Sequence, residues 1–179
     1  MNTKVAFCIL TLTALASPHQ KDRFHPGKVI LEFGKVASVE SDIKLDASTT
    51  LKLCFDVADK SGEASINQTF NSAARFINLN IESGAAAKNI EVAIVVHGKA
   101  AIDVTNSDFY TKTNEGRKNH NAKVIAALQA NRTTIYLCGQ TAAARGIRKA
   151  DLLPGVKMAP SAMTAHALLQ QDDFALCPF

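Results

Sequence analysis

The chain has 179 residues, of which 47% are hydrophobic and 20% charged, with a formal net charge of +4. That size and apolar content suit one domain with a real core. The charge is mild and no tight Lys/Arg cluster alternates with aromatics, which excludes a nucleic-acid-binding surface; beyond the first 16 residues no apolar run approaches the roughly 18 residues of a membrane helix.

Met1 to Lys4 is a short basic start, Val5 to Ala16 is almost wholly apolar, and Ala14-Leu15-Ala16 fits a small-residue cleavage site before Ser17. The expectation is a secretory signal peptide over residues 1–16 and a mature protein in the periplasm or outside the cell. Cys8 lies inside the apolar stretch behind Phe7, which does not fit a lipid anchor. Export implies an oxidising compartment, and Cys54, Cys138 and Cys177 are an odd number, so at least one thiol is free, modified or intermolecular.

Residues 17–50 form an N-terminal arm or edge segment. Ser17 to Gly27 reads as a flexible lead, and His19 and His25 within it read as polar residues rather than metal ligands. Val29, Ile30, Leu31 and Phe33 fit either an edge strand or an arm across a neighbouring subunit.

From residue 51 a regular alternation begins. Leu51–Val57 predicts a strand. Ile66, Phe70, Ala73, Ala74, Ile77 and Ile81 have helical spacing, so a helix is expected over 65–82, capped by Ser65 and stopped by Gly84. Ile90–Val96 is nearly continuous in β-branched residues, the mark of a strand buried on both faces. Residues 105–118 fit a lid or a short helix, 119–130 a helix, 133–138 a strand, 140–152 short helical turns, 156–159 a fourth strand, 161–171 a helix capped by Ser161, and 174–179 a terminal strand. Strands separated by helices imply right-handed crossovers and a largely parallel sheet: an α/β three-layer sandwich of about five strands.

Parallel strands bring their carboxyl ends to one edge, where ligands bind in such folds. Three strands end there in polar or reactive residues: His97-Gly98, Cys138-Gly139-Gln140 and Pro160-Ser161. Cys138 is the candidate nucleophile and His97 its candidate partner, since a nearby imidazolium or helix start favours the thiolate. Gly98 and Gly139 let the backbone turn and present N–H groups to an anion. Asn119, Asn121 and Ser161 are candidate ligand-binding residues whose plainer reading is capping; Arg145 belongs to a small basic group with Arg148 and Lys149. No GxGxxG, Walker, GxSxG or CxxC sequence occurs and no dense ligand cluster marks a metal, so no cofactor and no metal are expected.

Val95-Val96-His97-Gly98-Lys99-Ala100, Asn119-His120-Asn121, Leu137 through Ala143, Asp151-Leu152-Leu153-Pro154-Gly155-Val156 and Ser161 through Ala165 follow one another in this order. Over residues 51–179 this set resembles the DsrE/DsrF-like family, of YchN-like fold, and specifically its exported members. His120 and Pro160 depart from that pattern. The resemblance implies a homo-oligomer, trimer or hexamer, with Cys138 at a position that carries sulfur as a persulfide. A sulfur-donor and a sulfur-acceptor protein are then expected partners. His97 would tune the thiolate, Gly139 and Gln140 would stabilise the negative sulfur, and Arg145 would attract an anionic donor. The alternative is a non-enzymatic oligomeric module that binds a small ligand or partner. A Cys54–Cys177 disulfide is a further option that leaves Cys138 as the lone free thiol.

Overall fold

The computed structural model describes residues 23–177. The expected signal peptide, Cys8, His19 and the last two residues of the expected terminal strand lie outside that range. In chain order the elements are β1 (Phe24–His25), β2 (Val36–Ala37), β3 (Leu51–Val57), α1 (Gln68–Glu82), β4 (Ile90–Val96), α2 (Ser107–Thr113), α3 (Ala122–Gln129), β5 (Thr133–Cys138), α4 (Gly139–Ala144), β6 (Lys157–Ala159), α5 (Ala162–Gln171) and β7 (Ala175–Cys177), with 3-10 turns at 87–89, 98–104 and 149–151.

Five strands form one parallel sheet in the order β6-β5-β4-β3-β7. From β3 to β6 each new strand is added on the same side of the last. The chain then returns through α5 and lays β7 against the far side of β3. A right-handed crossover places its helix on one face when the sheet grows one way and on the other face when it grows back. The two faces accordingly carry separate clusters. Phe70, Ile77, Val124 and Leu128 of α1 and α3 cover Phe55, Ile94, Ile135 and Leu137. On the opposite face Ala165 packs with Cys54, Ala93, Val95, Ala159 and Phe174. The small residues Ala93, Ala159 and Ala165 let α5 approach closely. β4 is buried from Val92 to Val96, as its unbroken apolar run predicts.

Most predicted elements stand within a few residues of their expected bounds. α1 starts later, because Asn67 and not Ser65 is its N-cap: the Asn67 side chain accepts from Thr69 N–H. Ser65 sits instead in a turn with its N–H on Gly62 O. Residues 105–118 contain α2, capped by Asn106. Residues 29–33 are not an edge strand. They cross α1 of the same chain, held by Asn78, which is fully buried: its Oδ1 accepts from Ile30 N–H and its Nδ2 donates to Ile30 O, Phe33 O and Gly34 O at 2.9–3.1 Å. The short pairing of β1 with β2 closes this loop.

Among the described residues Cys54, Cys138 and Cys177 are not joined to one another by a disulfide. Cys54 does not bridge Cys177, for a reason of register. Cys177 pairs with Phe55, not with Cys54. Alternation therefore turns Cys54 toward α5 and Cys177 toward α1. Among the described residues no helix is long and apolar enough to cross a membrane.

Candidate functional site

β5 and β6 are adjacent and in register, with Cys138 beside Ala159. The chain leaves β5 through α4, whose Ala142 joins the α1/α3 cluster, and leaves β6 through α5 on the other face. The crevice between two such strands is the switch point at which open α/β sheets bind ligands. Cys138 occupies it as the N-cap residue of α4, opposite Ser161, the N-cap of α5.

The Cys138 thiol is more acidic than an ordinary cysteine. Burial is the largest single influence and opposes ionisation. It is outweighed by donors to the sulfur: the Thr141 N–H and hydroxyl, the Ala162 N–H and the Gln140 N–H. Three of these four belong to α4's first turn and one to α5's. Thr141 and Ala162 are functional residues that the sequence reading missed. Their signal is positional, since each falls in the first helical turn behind a predicted strand end.

His97 follows Val96, which pairs with Leu137, so the register sets it beside Cys138 one strand over. Its ring is nevertheless held on the other side: Nε2 donates to Asp56 Oδ2 at 3.0 Å. Asp56 Oδ1 accepts from His166 Nε2 at 2.7 Å, and His166 Nδ1 lies 3.5 Å from Cys54 Sγ. Since both carboxylate oxygens only accept, each neutral histidine carries its proton on Nε2. His166 Nδ1 can then accept from the Cys54 S–H, which also has Phe55 O as an acceptor at 3.8 Å. Burial, with Asp56 and Cys177 adding, pushes the Cys54 thiol up to about 12, in keeping with a permanent proton donor. Burial tends to raise the Asp56 carboxyl, but the hydrogen bonds and charges of His97 and His166 hold it below the usual range. Asp56 and His166 had no signal in the sequence, because strand alternation and the α5 return have to be known before the two meet.

The other predicted residues divide. Gly98 joins the site: its N–H donates to Thr141 Oγ1 at 3.3 Å, and its φ of +56° is one that a side chain strains. Gly139 joins it for a steric reason, as a Cβ would stand 2.6 Å from Ala159 O. Gln140 Nε2 donates to Pro160 O and ties the two strand exits together. Ser161 caps α5 by accepting from Thr164 N–H. Arg145 is exposed at the far end of α4, about 10 Å of helix rise from Cys138. Asn119 and Asn121 face inward, not toward the thiol. Asn119 Nδ2 donates to Asp103 O and Thr105 O. Asn121, fully buried, accepts from Asn67 N–H and donates to Ser61 Oγ. They belong to a network centred on Asp103, whose carboxylate accepts from Ser61 N–H, Ser61 Oγ and Asn67 Nδ2. This network floors a cavity of about 400 Å³ lined by Lys60, Ser61, Tyr110, Asn114, Arg117 and His120 among others. Among the described residues no group of three His, Cys, Asp or Glu could hold a metal ion.

The model of the DsrE/DsrF-like family matches residues 64–179. Two solved structures are similar in fold. One is MTH1491 from Methanobacterium thermoautotrophicum, a protein of unknown function, with 15% identity, a TM-score of 0.52, and coverage of 71% of this chain and 97% of that one. The other is the YchN protein from E. coli, with 16% identity, a TM-score of 0.51 and the same coverage. No curated protein matches the chain.

Proposed function

The chain belongs to the DsrE/DsrF-like family, and from that premise we propose that it is an exported sulfur carrier, a homo-oligomer that holds sulfane sulfur as a persulfide on Cys138 and passes it to an acceptor thiol. The observation that carries this reading is the convergence of backbone and hydroxyl donors from two helix starts on one sulfur. Such an array favours the thiolate, which is the attacking form. In the loading step the Cys138 thiolate attacks the outer sulfur of a donor R–S–SH. A new S–S bond forms on Cys138, the donor's S–S bond breaks, and its electron pair leaves with R–S⁻. An acceptor thiolate then removes the outer sulfur and regenerates Cys138. With the residue only 6% exposed, a slim donor is expected to reach the sulfur more readily than a bulky one.

The test is intact and peptide mass spectrometry of the mature protein after incubation with a sulfane-sulfur donor. A reductant-labile gain of about one sulfur atom confined to the Cys138 peptide is the expected result. No adduct on a reduced Cys138 rejects the carrier. The cavity above the Asp103 network would then favour a ligand-binding module, in which Cys138→Ser leaves ligand binding and assembly unchanged.

A further inference from the structure

Transfer of sulfane sulfur releases a thiolate from the donor, and the higher the pKa of that thiol the more slowly it leaves, so a proton delivered to it speeds its departure. The chain Cys54–His166–Asp56–His97 is built to supply one. It is assembled from β3, the end of β4 and α5 on the face that also bears Cys138. Its contacts are 3.5, 2.7 and 3.0 Å long. Resting on the persulfide-carrier reading, we infer that His97 is the general acid that protonates the departing thiolate of the sulfur donor, with Asp56 and His166 as its positioning residues.

Three observations support the assignment. Asp56 engages Nε2 of His97, which leaves Nδ1 without a hydrogen-bond partner among the described residues. A carboxylate on one ring nitrogen fixes the ring and strengthens the other nitrogen as a proton carrier. The second oxygen of Asp56 is occupied by His166, and His166 in turn lies against the Cys54 thiol, so the carboxylate is held from a second side. Finally, His97 has its backbone one strand from that of Cys138, an interstrand spacing of about 4.8 Å. It does not need to touch the Cys138 sulfur, because the leaving sulfur lies beyond the transferred one, two S–S bonds of about 2 Å away. With its side chain about one-third exposed, His97 can exchange protons with water.

The step balances. Cys138–S⁻ and R–S–SH give Cys138–S–SH and R–S⁻; the proton on Nδ1 of the His97 imidazolium passes to R–S⁻ to give R–SH; neutral His97 recovers a proton from water. No electrons are gained or lost overall, since one S–S bond replaces another.

The experiment compares wild type, His97→Gln, Asp56→Asn and His166→Gln in the mature protein. Each is given an aliphatic persulfide, glutathione persulfide, and an aromatic one, thiophenol persulfide, whose thiolate leaves without help. Iodoacetamide alkylation of Cys138 reports thiolate reactivity with no thiolate leaving group. The expected result is alkylation within about twofold of wild type throughout. Transfer from the aliphatic donor falls by about 10-fold or more in His97→Gln and Asp56→Asn, and less in His166→Gln, while transfer from the aromatic donor is nearly unchanged. Equal losses with both donors, or none, overturn the general acid and leave the carrier standing. A wild type that accepts sulfur from neither donor overturns both readings.

Discussion

Cys138 and Ala159 are register partners at the ends of β5 and β6, yet the chain departs from them toward opposite faces of the sheet. The divergence opens the crevice, and it also turns the first N–H groups of both departing helices back on one sulfur. The thiol is acidic because of where the topology reverses. The charge of a neighbouring side chain is not needed to explain it.

Thr141 is the most specific element of that arrangement. Its hydroxyl accepts from Gly98 N–H and so has its proton free for Cys138. Thr141→Val keeps the shape and removes the donor. A hydrogen bond to a charged acceptor is worth about 1.5–3 kcal/mol, so the Cys138 pKa is expected to rise by about one unit or more, since one unit is 1.36 kcal/mol. The thiolate fraction at neutral pH falls, and alkylation by iodoacetamide slows several-fold. Thr141→Ser restores the donor. The pH dependence of alkylation rate checks this, and an unchanged profile in Thr141→Val removes the hydroxyl from the site.

The Asp103 network makes a separate prediction. Asp103→Ala leaves the Ser61 and Asn67 donors unmet in the interior, and a loss of about 2–4 kcal/mol is expected in denaturant unfolding. Asp103→Asn should cost far less, because its amide oxygen can accept from Ser61 N–H and Asn67 while its NH₂ donates to Ser61 Oγ. Burial, the dominant influence, raises the Asp103 carboxyl above its usual value despite the opposing bonds from Asn67 and Ser61. The folded state therefore holds this proton more tightly than the unfolded chain. The contribution is full below about pH 4 and declines as pH rises through the folded pKa. Asp103→Asn is expected to gain on wild type as pH increases across that window; the opposite slope would contradict the assignment.

The four hydrogen bonds of Asn78 hold the segment before β3 onto α1. Asn78→Ala strands the Ile30 and Gly34 backbone groups. We expect a loss of about 2–4 kcal/mol if the segment stays docked, or its release with faster proteolytic cleavage between residues 27 and 46. Unchanged cleavage together with unchanged stability would show that the arm is held by its apolar contacts alone.

The parallel sheet was readable because β4 and β5 carry their signal locally: a β-branched run, then a polar stop. The cap of α5 was equally plain at Ser161. The cap of α1 was not, because Ser65 and Asn67 are both good cap residues and the choice depends on which backbone N–H the side chain reaches. Cys138 stands out in the sequence because a thiol at a strand end is unusual. Its donors Thr141 and Ala162 were hidden, since Ala162 has no functional side chain and acts through its backbone. Asp56 looked like one more polar residue in an alternating strand, and His166 like the polar face of a helix. Only the return of α5 across the sheet brings them together, and neither periodicity nor spacing records that. Asn119 and Asn121 misled in the opposite sense, being polar residues near the right edge that the fold turns inward.

α5 joins the two edges of the sheet, beginning at β6 and ending at β7, which pairs with β3 across more than 100 residues of chain. Such a distant pairing pays its loop-closure entropy late. The Ala162 N–H reaches Cys138 only once this last segment has docked, so the full set of donors to the sulfur exists only when the sheet is complete. The acidity of Cys138 therefore reports on the completed fold, since one of the sulfur's donors arrives only with the segment that carries the last strand.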